Sequence, residues 1–405
     1  MGEGTLHRRS RAATWQQELL LKAALSEGPD SLEAWNQWRA QVDPENSDYD
    51  SQRLLPLLYV TLQRRGVSDP QMGRFKGVYR RTWYDNTLRF RAAGAILTAL
   101  RDAGIETMLL DGAALASWYY RDLGLRPMDA FDIFVPAHHG PEATDILTAI
   151  GWAPVEPAGI TEAGELAARQ PCRFRNAHHH EVDLHWHVLD RRLTPVADCE
   201  LWAAARSIDL AGVPTRILSP ADQLLHVCAH GMERTWWGMV GASNPCWVAD
   251  AVTILRHAPE PLDWDRLSAR AQRLRLVLPL REALNYLRDL LGAPVPASAL
   301  ARICTMSVPL MERIAKHART RPPEVWGPWM AFSVRYLEYS LSLPPGTGVF
   351  RRLFGVPAFF QRRWGSASLW HLPIAAAFRG LRRIRWAAEE HRIRRTGVST
   401  QNTRP

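Results

Sequence analysis

Residues 122–136 read DLGLRPMDAFDIFVP and residues 178–189 read HHHEVDLHWHVL, and the fold turns on these two stretches. In the first, Phe131, Ile133 and Val135 alternate with Asp132 and Phe134 in a run closed by Pro136, which predicts a strand from which Asp132 projects. In the second, a period of two puts Glu181, Asp183, His185 and His187 on one face and Val182, Leu184, Trp186 and Val188 on the other. Each stretch therefore offers one strand-borne carboxylate, Asp132 or Asp183, to the same surroundings.

Working outward, residues 105–110 (IETMLL) form a short apolar run entered from Gly104 and left through Asp111-Gly112, after which AALASWYY has helical spacing. The unit reads as strand, tight turn, helix. A helix is expected over 141–150, ending at Gly151, followed by a hairpin-like stretch from 173 to 187 and a last strand over 215–218. Ser219-Pro220-Ala221-Asp222 is a helix start, with serine as cap, proline at the first helical position and aspartate near the positive end of the dipole. Helical spacing dominates residues 14–104, including a long run over 72–100, and again from 219 to about 341. The expected division is an N-terminal helical segment (1–90), a strand-rich unit (91–218), a helical domain (219–342), and a linker and basic tail (343–405) entered through LPPGTG.

The chain has 405 residues, 46% of them hydrophobic and 22% charged, which excludes collagen, coiled coil and wholesale disorder. No stretch reaches the roughly 18–20 apolar residues that a membrane span needs, and the start shows no secretory signal, so the expected location is the cytoplasm. Cys172, Cys199, Cys228, Cys246 and Cys304 are odd in number and irregularly spaced, which indicates buried or inert thiols rather than disulfides or a thiolate zinc cage. The net charge is +9, and residues 351–395, with eleven arginines against Glu389 and Glu390, carry all of it. That places the basic excess on a C-terminal amphipathic appendage, a solvated face or a contact with a partner or an anionic surface.

Two carboxylates on neighbouring strands beside a small-residue turn suit metal-assisted phosphoryl transfer. Magnesium takes hard oxygen ligands, commonly one or two carboxylates plus substrate phosphates, while a small-residue turn at a helix start lets phosphate approach backbone N–H groups. Three segments carry a resemblance to a known family: residues 110–116 (LDGAALA), 120–135 (YRDLGLRPMDAFDIFV) and 182–186 (VDLHW), continued by 224–231 (LLHVCAHG) and 246–255 (CWVADAVTIL). The chain resembles the bacterial uncharacterised nucleotidyltransferases of the DNA polymerase beta superfamily. The resemblance implies an α/β (α+β) fold: a nucleotidyltransferase palm with a small mixed sheet, flanked by N-terminal helices and a C-terminal helical domain. It further implies Mg²⁺ or Mn²⁺ held by Asp132 and Asp183, with Asp129 as a further catalytic candidate. A nucleoside triphosphate would lie against Gly112, Ala113, Asp111 and Arg126, and a nucleotidyl group would pass to a small-molecule, peptide or protein acceptor.

Two departures from the family pattern fall in its active-site motifs. Ala130 stands where the family has an aspartate two residues before Asp132, and Asp129 lies one place earlier, where strand alternation points it away unless the chain is bent back. Asp111 replaces a lysine, which either weakens triphosphate binding or supplies a relocated metal ligand. The expected activity is therefore nucleotidyl transfer. A catalytically degenerate binding or accessory protein is the alternative, as is reuse of the fold for acid–base chemistry on another ligand. Arg126 reads as a partner for the aspartate strand or a phosphate contact. His178, His179, His180, His185 and His187 make an imidazole-rich metal site conceivable, with solvated or hydrogen-bonded roles as the default. His226 and His230, four apart on a helix, could clamp a metal, but without an evident third ligand they read as packing residues, as do Trp236, Trp237 and Trp247.

Overall fold

The computed structural model describes residues 13–155, 172–189, 195–236 and 244–319, together with 333, 336, 355, 356 and 359. The linker and all eleven tail arginines lie outside the described residues, as does Trp237. Five helices open the chain: α1 (Trp15–Leu25), α2 (Asp30–Gln41), α3 (Tyr49–Gln52), α4 (Leu55–Arg64) and the long α5 (Met72–Asp102), which runs unbroken through residue 90. Thr14 caps α1 by accepting from the Gln17 amide while the Gln17 side chain accepts from the Thr14 amide, so both orphan donors are satisfied.

The strands are β1 (Met108–Leu109), β2 (Phe131–Phe134), β3 (Ala153–Pro154), β4 (Cys172–Arg175), β5 (Glu181–His185), β6 (Arg206–Leu210) and β7 (Val213–Ile217). They form one seven-stranded mixed sheet in the order β3-β4-β5-β2-β1-β7-β6. Strand β2 runs parallel to β5, and β1 parallel to β7, while the remaining pairings are antiparallel. The decisive register is β2 against β5, which sets Asp132 opposite Asp183. The expected strand at 105–110 shortens to two residues because Gly104, in the left-handed region, still belongs to the turn that ends α5. Strands β3 and β6 had no expectation in the sequence. Strand β6 exists because Ala211 and Gly212, at φ 54° and 85°, form a two-residue turn that folds it onto β7.

Between β1 and β2 the chain makes a helical turn α6 (Asp111–Ala114) that continues as a π-helical stretch over Leu115–Tyr120, and α7 (Gly140–Ala149) follows β2. After the sheet strands come α8 (Pro195–Ala203, between β5 and β6), α9 (Pro220–Trp236), α10 (Cys246–His257), α11 (Trp264–Arg273), α12 (Val277–Leu291), α13 (Ala297–Thr305) and α14 (Leu310–Arg319). Ser219 caps α9 as expected, accepting from the Asp222 amide.

Two large cores result. One joins Leu20, Trp38 and Leu58 of the N-terminal helices to Leu225, Val248 and Leu284 of the C-terminal helices. The other packs Leu97 and Leu100 of α5 against Phe131, Ile133, Leu184 and Trp186 of the sheet. Helix α5 passes from one to the other, since Phe75 near its start belongs to the first core. Burying each such side chain contributes about 1.5–3 kcal/mol. Among the cysteines, Cys228 and Cys246 are buried, whereas Cys199 and Cys304 are exposed, and none of the five is in a disulfide. No helix among the described residues is long and apolar enough to cross a membrane.

Helices α9 and α10 approach so closely at Gly231 that a Cβ there would run into the Trp247 ring, which is itself buried, as expected for a packing tryptophan. Gly231→Ala is expected to lower the unfolding free energy by about 1–3 kcal/mol through forced displacement of Trp247, read by denaturant titration followed by tryptophan fluorescence.

Candidate functional site

The β2–β5 pairing puts one carboxylate on each of two parallel strands at the same level, both facing a cleft of about 440 Å³ between the sheet and helices α9 and α10. The third carboxylate, Asp111, comes from the start of α6, two residues after β1. The Leu110 amide donates to the Asp132 carbonyl at 3.1 Å, extending the β1–β2 pairing to the point where Asp111 enters its turn at φ 42°. Asp111, Asp132 and Asp183 thus line one cleft, joined by His185 from β5 and by His226 and His230 from α9.

Each carboxylate has its own compensation. Arg173 on β4, cross-strand from Asp183, forks onto it with two hydrogen bonds of 2.7 Å. His185 Nε2 lies 3.0 Å from Asp132 Oδ1, and His226 Nε2 lies 2.9 Å from Asp111 Oδ1. Burial raises the Asp132 carboxyl to about 6, and the charges of Asp111 and Asp183 add to this against the opposing hydrogen bond from His185. Burial pushes Asp111 the same way, but the charge and hydrogen bond of His226, with His230 and His185 beyond, outweigh it and hold that carboxyl well below the usual range.

A divalent cation fits the strand pair. Asp132 and Asp183 present oxygen donors at the same level of the sheet, and the Asp132 carboxyl is raised first by its burial and then by the charges of Asp111 and Asp183. The Arg173 side chain is 45% exposed and occupies Asp183 from the solvent side.

The remaining expected residues sit as follows. Asp129 turns toward the N-terminal helices, where its Oδ1 accepts from the Tyr49 hydroxyl at 2.8 Å and its Oδ1 and Oδ2 both accept from Arg53 Nη1 at 2.7 and 2.8 Å. It borders the cleft while its carboxyl ties α3 and the segment after it to the palm loop. Arg126 forks onto Asp250 of α10 at 3.2 and 3.0 Å, and Tyr120 donates to the same carboxylate at 2.9 Å. The Arg126 guanidinium, on a side chain 14% exposed, is thus held by Asp250 while it reaches the cleft edge. Gly112 lines the cleft, and a Cβ there would lie 2.8 Å from Met128 and 2.9 Å from Arg126 Nη1, so its bareness admits those side chains. Ala113, expected beside the nucleotide, is instead fully buried in the sheet core and does not line the cleft, because its small side chain packs under the strands.

His178, His179 and His180 lie at the β4–β5 turn, with His178 and His179 exposed, and none of the three lines the cleft. His187 turns instead to Asp198 of α8 at 2.6 Å. Cys246 borders the cleft, but burial raises its thiol to about 11, so it is no thiolate nucleophile. Sequence reasoning missed Arg53, Arg173 and Asp250. Only Asp250 left a signal, as a lone acid inside the apolar run WVADAVTIL.

The profile of the uncharacterised nucleotidyltransferase family matches residues 49–292. The chain belongs to that family. The matched segment contains every cleft residue named above, from Arg53 to Asp250. The crystal structure of an antigenic nucleotidyltransferase-like protein from Paracoccidioides brasiliensis is similar over 54% of this chain and 96% of its own, at 16% identity and a TM-score of 0.36, too low to assign any residue of the site. No curated protein matches the chain.

Asp250 is the one anion facing both Arg126 and Tyr120 in these contacts, and it is itself buried. Asp250→Ala is expected to destabilise the protein by about 3–5 kcal/mol, because it strands the Arg126 charge, whereas the double variant with Arg126→Met recovers much of the loss. Thermal unfolding of the two variants checks this.

Proposed function

We propose that this nucleotidyltransferase-family protein transfers a nucleotidyl group from a nucleoside triphosphate to a hydroxyl on a small-molecule, peptide or protein acceptor. The observation that carries the reading is the in-register placement of Asp132 and Asp183 on parallel strands, open to one cleft. The cleft volume of about 440 Å³ lies in the range of small-ligand pockets.

Asp132 and Asp183 would hold Mg²⁺ or Mn²⁺, which when bound neutralises charge developing on the transferring phosphorus and lowers the pKa of the acceptor hydroxyl. His185 fixes the orientation of the Asp132 carboxylate through its 3.0 Å contact. Gly112 borders the space where triphosphate oxygens would lie, and the absence of a side chain there keeps that border low. Arg173, released from Asp183, is the nearest mobile cation for a phosphate, since Arg126 is retained by Asp250. Asp129, engaged with Arg53 and Tyr49, holds the loop that carries the β2 aspartate.

A second reading is a family member that binds its ligand without turning it over. Ala130 supplies no carboxylate beside Asp132, and the Arg173 fork already satisfies Asp183.

Purified full-length protein with Mg²⁺ or Mn²⁺ and α-labelled nucleoside triphosphates tests both readings through label transfer, pyrophosphate release and nucleotide binding. Under the first reading Asp132→Asn and Asp183→Asn each cut the rate by about 10²–10⁴, the loss expected for one metal-holding carboxylate. Nucleotide binding without turnover in the wild type would establish the second reading. Absence of both binding and turnover, with no effect of either substitution, would falsify the pair.

A further inference from the structure

We propose that Asp111, His226 and His230 form a binding site for a zinc-class transition-metal ion, distinct from the strand carboxylates and independent of any nucleotidyl transfer. One ligand atom from each of the three residues lies within 4.8 Å of the other two. The donors come from separate parts of the fold, Asp111 from the start of α6 just after β1 and the two histidines from α9. His226 and His230 are one helical turn apart and so leave the same face of α9, and their rings stand 5.8 Å apart with planes crossed at 89°. Crossed planes let two imidazole nitrogens point at one centre from different directions.

The chemistry of the donor set selects the ion. Two imidazoles and one carboxylate match zinc and its neighbours, whereas magnesium takes oxygen ligands. Zinc bonds of about 2.0–2.1 Å place tetrahedral donors roughly 3.4 Å apart. Asp111 Oδ1 and His226 Nε2 are already closer than this, at 2.9 Å, so loading replaces the proton they now share and draws His230 inward by side-chain rotation.

Two further features fit a site rather than a packing cluster. Asp111 is a non-glycine residue at φ 42°, a conformation that persists only where the surroundings enforce it, and here it aims a carboxylate at α9. All three residues also line the cleft, so three protein donors leave a coordination position open to water or a ligand, the arrangement of reactive zinc sites. The helical pair reads His226-Val227-Cys228-Ala229-His230, with no glutamate between the histidines, so the general base of helical zinc proteases is absent from this motif.

The test uses chelator-stripped, full-length protein titrated with Zn²⁺ by calorimetry and with Co²⁺ by visible absorption, in the absence of nucleotide. One equivalent of Zn²⁺ and the intense visible bands of four-coordinate Co²⁺ are expected. Asp111→Asn, His226→Ala and His230→Ala should each weaken zinc binding by about a hundredfold or more, with circular dichroism unchanged. The double variant Asp132→Asn/Asp183→Asn should bind zinc as the wild type does. No stoichiometric zinc in the wild type, undiminished binding in the three ligand variants, or loss confined to the strand double variant each overturns the site. If His226→Ala, at the more buried position, does not fold, the wild-type cobalt spectrum and His230→Ala still decide. Since no triphosphate enters the assay, its outcome is separate from that of nucleotidyl transfer.

Discussion

Parallel pairing of β2 with β5 forces two carboxylates to the same level on one face of a sheet, in a cleft roofed by helices. Like charges so placed repel, and burial raises the cost of ionising them, so much of the surrounding structure supplies compensation. Arg173 reaches across from β4, His185 comes from β5 itself, and Asp111 at the start of α6 is matched by His226 from α9. The sheet cannot keep this face without the helices, and the helices are docked partly by these contacts.

A second electrostatic node fastens the C-terminal helices to the palm loop. Asp250 gathers Tyr120 and Arg126, while Asn86 of α5 donates to the carbonyls of Leu123 and Arg126 at 2.7 and 2.8 Å. Gly124 in the same loop sits against the Tyr79 ring, where a Cβ would clash. The Arg53–Asp129 pair pins the last part of the loop to the N-terminal helices. Residues 122–129 are therefore clamped from three sides just before β2 begins, and the carboxylate of Asp132 inherits that rigidity.

The two departures from the family pattern acquire different physical meanings. The missing carboxylate at Ala130 is not restored by Asp129, whose oxygens face Arg53 and Tyr49. The aspartate at 111 meets His226 at 2.9 Å, so an acid there has a hydrogen-bond partner of its own while its charge still acts on Asp132. A cleft with oxygen donors on one wall and mixed nitrogen and oxygen donors on another can hold two cations of different preference.

Local patterns in the chain were enough to read the period-two strands around Asp132 and Asp183, the long helical run over 72–100, the serine-capped start at Ser219 and the mixed α/β class. Those features depend on neighbours a few residues apart, where side-chain alternation and capping act directly. The sequence also raised His226 and His230 as a possible clamp but left them without a third ligand, because Asp111 lies 115 positions away. Strand β6, the Arg173 fork, the Arg53–Asp129 tie and the Asp250 node escaped notice for the same reason: their worth comes from burial and from partners brought near only when the chain closes. Chain order alone thus determined which residues could carry chemistry here, while the packing of α9 and α10 over the sheet decided which of them meet. Charge interactions depend on distance in space and on exclusion of water, and neither quantity is written along the chain.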